Sequence, residues 1–583
     1  MNNKMSELIF LKINFGETYI GKAAKKVVTG ILTKILYLNR IENFIKANEH
    51  LDEKQFIGHL FDDLNFSYLI SSRDFEKIPS HGKIICVANH PIGSLDALSI
   101  LKAVLEIRKD VKVVANEVLS NIEQLRTMFI PLKLDSKHAQ KNAILAVQKA
   151  LHNEQMVIIF PAATVSRLNG IKITDSRWHK GAVHFAKRFS APILPVFIEA
   201  RNSFLFYFTS IVSKKLSTFL LAHELFNKRN KTIQLKIGDV IPAKVFTASI
   251  IDENYQTMLL RKHVYLLGKN RKGIYSTEKN VIHPVDRKAI KLELASSRLL
   301  GITHNNMKIY LTTKIESPQT VNEIARLREL TFRKVGEGTG RKLDIDKFDS
   351  HYSHLVVWDE NELEIIGAYR IGSGNYIMDK IGENGFYTST LFNFSKDFSS
   401  GYLKDSIELG RSFVQSKYWN SNALNYLWQG IGAYLQHYPS VRYLFGGVSI
   451  SNNYPNSAKE MIITYFNKWY GYNNGLVESK RKFVMSEATH AEYFSMFVGE
   501  SAKDDYRILK TMLKPLGFKV PVLYKHYSEL CEAGGVKFLD FGIDPDFENC
   551  VDGLILVDIS LIKEEKKQKF IASNSFSILR ATA

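Results

Sequence analysis

The pattern of apolar and polar positions divides the chain into two stretches of alternating strand and helix signals. The clearest strand signal is Ile84 to Ala88, an unbroken apolar run of the kind found in strands buried on both faces. Asn89-His90-Pro91 and then Gly93 stop it, and apolar residues at helical spacing resume beyond Ser94. Ser94 is the expected N-cap and Asp96 falls in the first turn, where a carboxylate suits the helix dipole. His90 therefore stands at the carboxyl end of a strand, the place where α/β sheets bind their ligands. Further strands are predicted over 111–115, 129–132, 156–160 and 192–198, with helices over 142–151 and 182–189 between them. Such alternation predicts a mostly parallel sheet covered on both faces. Ahead of it, residues 17–48 read as a basic amphipathic helix, with Lys22, Lys25, Lys26, Lys34 and Arg40 between apolar positions. A helix of this kind suits a membrane surface or the domain's own core.

A second series begins at a strand over 308–313 and a helix over 321–335, followed by a glycine-rich turn. Strands over 354–358 and 363–370 pair across a short turn, and 406–412 alternates in strand fashion. A helix over 424–437 then leads to a strand over 443–449. The charge-rich, weakly periodic stretch before this series is expected to hold a linker. The resulting organisation is α/β throughout: a basic N-terminal region over 1–50, one domain over 51–270, a linker over 271–305 and a second domain over 306–583.

Composition narrows the partners. The 583 residues are 45% hydrophobic and 23% charged, an ordinary globular balance, but the formal net charge is +19. Such an excess attracts a polyanion: an anionic membrane face, an acidic carrier protein or nucleic acid. Without a basic tail, zinc spacing or aromatic-basic motif, nucleic acid is not expected. Cys86, Cys531 and Cys550 share no metal or redox spacing, which suits a reducing cytoplasm and suggests no metal. No signal peptide and no membrane span are predicted. The most apolar stretch, 202–223, is interrupted by Lys214 and Lys215, and suits either a face lying on anionic lipid or a core helix.

His90 and Asp96 can form a general base with its orienting carboxylate, or simply a turn and helix cap. A second block adds to them: Phe160-Pro161, two alanines, Thr164, Val165, Ser166 and Arg167. Asn-His-Pro-x-Gly-x-x-Asp, followed about seventy residues later by Phe-Pro-Ala-x-x-Val-Ser-Arg, resembles the lysophospholipid acyltransferase superfamily, and its hemolysin-like branch most. Asp175, Trp178, Gly181 and Pro195 to Ser203 also look like that branch. The resemblance implies a glycerolipid-acyltransferase-like fold and transfer of an acyl group from a thioester to a lipid hydroxyl. His90 would be the base, Asp96 its partner, Gly93 part of the site, and Phe160, Pro161, Thr164, Ser166 and Arg167 the acceptor loop. Where phosphate-binding members carry Glu and Gly after Phe-Pro, this chain has Ala162 and Ala163. That difference implies a lyso-lipid without phosphate.

In the second half, Arg328 with Phe332, Asp346 with Asp349, Arg370 and then Glu408-x-x-Arg411 resemble the N-acyltransferases that attach a 3-hydroxyacyl chain to ornithine. They are more distantly similar to acyl-homoserine lactone synthases. The implied fold is acetyltransferase-like (GNAT), and Glu408 would take the amine's proton. Arg370 and Arg411 would hold the acidic loop or meet anionic substrate groups. Asp346 and Asp349 would recognise ammonium groups or brace the arginines. Together the halves resemble the bifunctional ornithine lipid synthases of bacteria. The resemblance implies ornithine and lyso-ornithine lipid as substrates, acyl carrier protein or coenzyme A as donor, no resident cofactor, and a peripheral place on the inner face of the cytoplasmic membrane. Glycine, serine or a dipeptide as head group, or a non-catalytic hemolysin-like membrane protein, are the alternatives.

Overall fold

A computed structural model describes residues 37–116, 122–133, 136–472 and 474–571. The chain separates into two compact units, residues 1–283 and 284–583. Of the basic N-terminal helix, only Leu38–Ala47 falls within the described residues; Lys22, Lys25, Lys26 and Lys34 lie outside them.

The first unit is built on a seven-stranded sheet in the order β1-β9-β8-β2-β5-β3-β4. Its strands are β1 (Ser67–Leu69), β2 (Ile84–Ala88), β3 (Val111–Asn116), β4 (Phe129–Leu132), β5 (Met156–Ile159), β8 (Ile193–Glu199) and β9 (Thr232–Ile237). Every neighbouring pair is parallel except β8 with β9. A small hairpin, β6 (Arg167–Asn169) with β7 (Lys172–Thr174), stands apart from the sheet. The expected central strand is β2, and all five of its residues are buried. Ile84, Cys86 and Ala88 pack on one face with the helices Glu53–Asp63 and Ser94–Leu105. Ile85 and Val87 pack on the other with Lys137–His152, Gly181–Phe189 and Glu253–Gly268. Burial on both sides is why this strand reads as a continuous apolar run.

The expected linker is structured. Residues 271–283 close the first unit: the N–H groups of Ile274 and Tyr275 donate to His263 Nδ1, and Glu278 bridges to Val240. The second unit then begins with the helix Arg287–Ser296 and β10 (Arg298–Ile302). In the helix the buried positions Ile290 and Leu294 are separated by charged residues and do not stand out in the sequence.

The second unit carries an eight-stranded sheet in the order β10-β11-β12-β13-β15-β16-β19-β18. Added to β10 are β11 (Lys308–Thr313), β12 (Ser353–Asp359), β13 (Glu364–Ser373), β15 (Ser406–Val414), β16 (Tyr443–Ile450), β18 (Val536–Asp544) and β19 (Cys550–Asp558). A two-stranded pair, β14 (Phe392–Phe394) with β17 (Val477–Ser479), lies beside it. The neighbours are antiparallel except β15 with β16. That parallel pair holds register for only three residues, Ser406 to Glu408 against Tyr443 to Phe445. Beyond it, β15 pairs only with β13 and β16 only with β19, so the sheet splays open just past Glu408.

Candidate active sites

In the first unit, β2 ends at Asn89, whose side-chain amide clamps the neighbouring strand. Asn89 Nδ2 donates to the Ile198 carbonyl at 3.0 Å, and Ile198 N–H returns to Asn89 Oδ1 at 2.7 Å. His90 is thereby fixed at the strand tip with its side chain 18% exposed. Its Nδ1 lies 3.0 Å from Asp96 Oδ2, off the line of an ideal hydrogen bond.

Asp96 is fully buried, and the same Oδ2 accepts the N–H groups of Ile92 and Gly93, each at 2.9 Å. Burial raises its carboxyl above the usual range, opposed by His90 and those two N–H groups. The N-cap is Gly93, not the expected Ser94, because the turn needs φ +94°, a region open to glycine. One carboxylate thus caps the helix and orients the imidazole. This pair can accept a proton from a hydroxyl and stabilise the resulting imidazolium.

The Phe160–Arg167 loop meets His90 through a buried brace. Ser166 N–H donates to the His90 carbonyl at 2.7 Å, and Asp175 Oδ1 accepts the His90 N–H at 3.2 Å and the Ser166 hydroxyl at 2.5 Å. Asp175 Oδ2 accepts Trp178 Nε1–H at 2.8 Å. The Phe160 ring lies 4.5 Å from the imidazole, centre to centre. Pro161 is buried and its carbonyl accepts the His179 N–H. Thr164 is exposed and sits near Ser176. Ala163 has φ +55°, so the loop keeps a glycine-like backbone where the glycine is replaced.

Arg167, the last residue expected in the acceptor loop, is bonded to a different element. Its guanidinium bonds to Ser217, Thr218 and the Lys214 carbonyl and lies over the Phe206 ring. It leaves the loop as the first residue of the β6–β7 hairpin.

In the second unit, Glu408 sits at the apex of the splay. Its carboxylate accepts the Tyr352 hydroxyl and the N–H groups of Tyr387 and Thr388, at 2.9 and 2.7 Å for the two amides. Burial and the Glu408 charge push the Tyr352 hydroxyl well above its usual range, so it remains a donor. Arg411 lies in the opened part of β15 on a bulge, with φ +50°, and one extra residue faces β13 there. Its guanidinium stacks over Tyr387 and Phe547, at 4.9 and 4.6 Å from the ring centres. Phe332 backs this stack edge-on against Phe547. Tyr387 hydroxyl donates to Asp544 Oδ2 at 2.5 Å.

The acidic loop and the arginines form one buried network. Arg328 reaches Asp349 Oδ1 at 3.1 Å and Asp344 Oδ2 at 3.2 Å. Arg370 reaches Asp346 Oδ1 at 2.7 Å and Asp349 Oδ2 at 3.5 Å, and lies over the Tyr352 ring. Arg411 adds weaker approaches to Asp344 and Asp346, at 3.7 and 3.8 Å. Burial alone would raise the Asp349 carboxyl, but Arg328, Arg370 and His354 hold it far below its usual range. His354, buried between these cations, is pushed down to about 3 by burial and by the arginines. Of the two roles open for Asp346 and Asp349, the bracing contacts are the ones made here.

Tyr352 and Tyr387 are site residues that no sequence motif marks. Neither sits in a spacing that points to chemistry, and a side chain from a different element, Glu408, brings them together.

The acyltransferase family profile matches residues 25–273, and the acetyltransferase (GNAT) domain profile matches 327–429. The glycine N(alpha)-acyltransferase of Bacteroides thetaiotaomicron is 34% identical over 310 residues, covering 50% of this chain and 91% of that protein. The chain belongs to this acyltransferase family. The acyltransferase is also similar to the lyso-glycine lipid O-acyltransferase of Phocaeicola vulgatus, 28% identical over 40% of this chain and 85% of the relative. The L-ornithine N(alpha)-acyltransferase of Agrobacterium fabrum is 32% identical over 21% of this chain and 42% of the relative. The two halves of the acyltransferase thus carry the two domain types that the sequence reading expected.

Proposed function

We propose that this chain is a bifunctional aminolipid synthase. Its GNAT unit joins a 3-hydroxyacyl chain to the amino group of an amino acid, and its first unit esterifies the new 3-hydroxyl with a second acyl chain. The observation that carries the second step is the His90–Asp96 pair at the tip of β2, braced against the Phe160–Arg167 loop, where Ala162 and Ala163 replace the acid and glycine of phosphate-binding members. His90 takes the proton from the hydroxyl as its oxygen attacks the thioester carbonyl. The thiolate of the donor leaves and is reprotonated by the imidazolium, which Asp96 has stabilised.

In the first step the neutral amine attacks the donor thioester directly, forming the amide and releasing the thiol. The unpaired edges of β15 and β16 past Glu408 suit an extended, amide-bearing donor arm such as that of acyl carrier protein or coenzyme A. Glu408 serves this step, as the proton acceptor or by holding Tyr352 and the Tyr387–Thr388 turn in place.

Ornithine is the head group we favour. The buried carboxyls of Asp544, Asp552 and Glu337 gather near Arg411, and burial raises all three, Glu337 to about 7. A second ammonium would restore their charge. Glycine is the second reading, supported by the relative that matches over nearly its whole length. Purified protein given 3-hydroxyacyl carrier thioester with either amino acid, followed by mass spectrometry, tests both. Acyl-ornithine and its O-acylated product are expected; acylated glycine alone would replace the head group, and unchanged thioester would overturn the function.

A further inference from the structure

The first unit exposes a large apolar surface beside His90 that the chemistry above does not use. The helix Phe204–Val212 turns Phe206 and Tyr207 inward and Phe204, Phe208, Ile211 and Val212 outward. Phe204 is 84% exposed, Ile211 67% and Val212 72%. Exposed apolar residues are unremarkable singly, but four on one helix face mark an interaction site. A second element adds to them: Ile171, at the tip of the β6–β7 hairpin, is 95% exposed. Hairpin and helix are tied together, since Arg167 of β6 lies over Phe206, and Val165 packs on Phe206 and Tyr207.

Both elements are also anchored to the catalytic loop. Asn202, just before the helix, donates its side-chain N–H to the Pro91 carbonyl at 3.2 Å, and its backbone N–H to Tyr207 Oη at 2.9 Å. Ser203 caps the helix and is held by the buried Glu224, whose carboxylate accepts the Ser203 N–H at 2.8 Å and the Ser203 hydroxyl at 2.6 Å. A surface fixed this firmly is built to keep its apolar residues outward.

The basic residues at its margin choose the partner. Lys172 flanks Ile171 at the hairpin tip, Lys214 follows Val212 at the end of the helix, and Arg201 precedes it, all three exposed. The helix is too short to cross a bilayer, and no described helix is long and apolar enough to do so. Outward aromatic and aliphatic side chains rimmed by lysine and arginine match an interface of anionic lipid, with apolar groups entering the acyl region and cations meeting headgroups.

We propose that the hairpin tip and the outer face of Phe204–Val212 form a platform that inserts into an anionic bilayer surface and holds the His90 site against it. This is independent of turnover, although it supplies the route by which the lyso-lipid of the proposed reaction would reach His90. The three native cysteines are buried, so single cysteines placed at Ile171, Phe208 or Ile211 can carry an environment-sensitive fluorophore on the full chain.

Vesicles of phosphatidylcholine with phosphatidylglycerol, without any acyl donor, are the probe. A marked rise in emission is expected at all three positions, with quenching by nitroxide-labelled acyl chains. A label at the exposed Ile250 should not respond. The response should survive His90→Ala, and Phe208→Ser with Ile211→Ser should weaken partitioning by about tenfold or more. Labels that stay in water while the protein co-sediments with vesicles would overturn the platform, as would no binding at all. An equal response on phosphatidylcholine alone would overturn the requirement for anionic lipid.

Discussion

At the scale of single residues, Asp96 and His354 show opposite uses of a buried ionisable group. Asp96 serves the helix cap and the imidazole with one oxygen, so Asp96→Asn keeps an acceptor but loses the charge that favours the imidazolium. O-acylation is expected to fall by about a hundredfold or more in Asp96→Asn with the fold retained, measured on lyso-lipid supplied directly. His354 is buried neutral, its pKa lowered to about 3 against an ordinary value of 6.5. The unfolded chain therefore binds a proton that the folded chain refuses as pH falls from about 6.5 towards 3. The stability this neutrality contributes is present above about 6.5 and declines by about 1.4 kcal/mol for each pH unit below it. Denaturant midpoints taken across that window should flatten in His354→Asn by about one proton's slope; an unchanged slope would show that His354 is charged in the fold.

At the scale of elements, the splay of β15 from β16 creates the second site, and Gly446 sets how closely they meet. A methyl group there would come to 2.1 Å from the Leu409 carbonyl oxygen, so one of the two strands must shift. Gly446→Ala is expected to destabilise the second unit by about 1–3 kcal/mol and to slow amide formation, while the first unit still esterifies supplied lyso-lipid. Elements of this kind were unevenly legible. The strand Ile84–Ala88 was plain because burial on both faces leaves a run without polar interruption. The helix Pro318–Val335 was plain from its spacing, although its buried face carries Arg326, Arg328 and Glu329 as well as apolar residues. β9 is not legible because its partner β1 lies far away in sequence, and the β18–β19 hairpin is not because its connection, Pro545 to Asn549, carries no Asn-Gly or Asp-Gly turn signal. The boundary between the units falls inside the linker expected over 271–305, but the helix Arg287–Ser296 within it is not legible, because a short, charge-rich helix looks like solvated chain until the surface it covers is known.

At the scale of the whole molecule, the two activities should be coupled by product rather than by contact. Glu408→Gln removes the carboxylate that gathers Tyr352, Tyr387 and Thr388, so amide formation should fall by about a hundredfold or more. With no lyso-lipid made, the ester product should vanish as well, and supplying lyso-lipid should restore it fully. The candidate residues of both sites could be read from the sequence as ordered sets, because each set recurs as a spaced motif. Their arrangement could not be. Arg167 is bonded to the helix over 214–219, and the acids of the 344–349 loop proved to be committed to arginines, facts that depend on the folded path between motifs.

The central claim is that His90 drives ester formation while the other half makes the amide unaided. Lipid products of purified His90→Ala, given 3-hydroxyacyl carrier thioester, a second acyl donor and ornithine or glycine, test it most directly by mass spectrometry. The account predicts that the monoacyl amide accumulates at the normal rate and the diacyl lipid disappears. Diacyl lipid formed at the wild-type rate would contradict it.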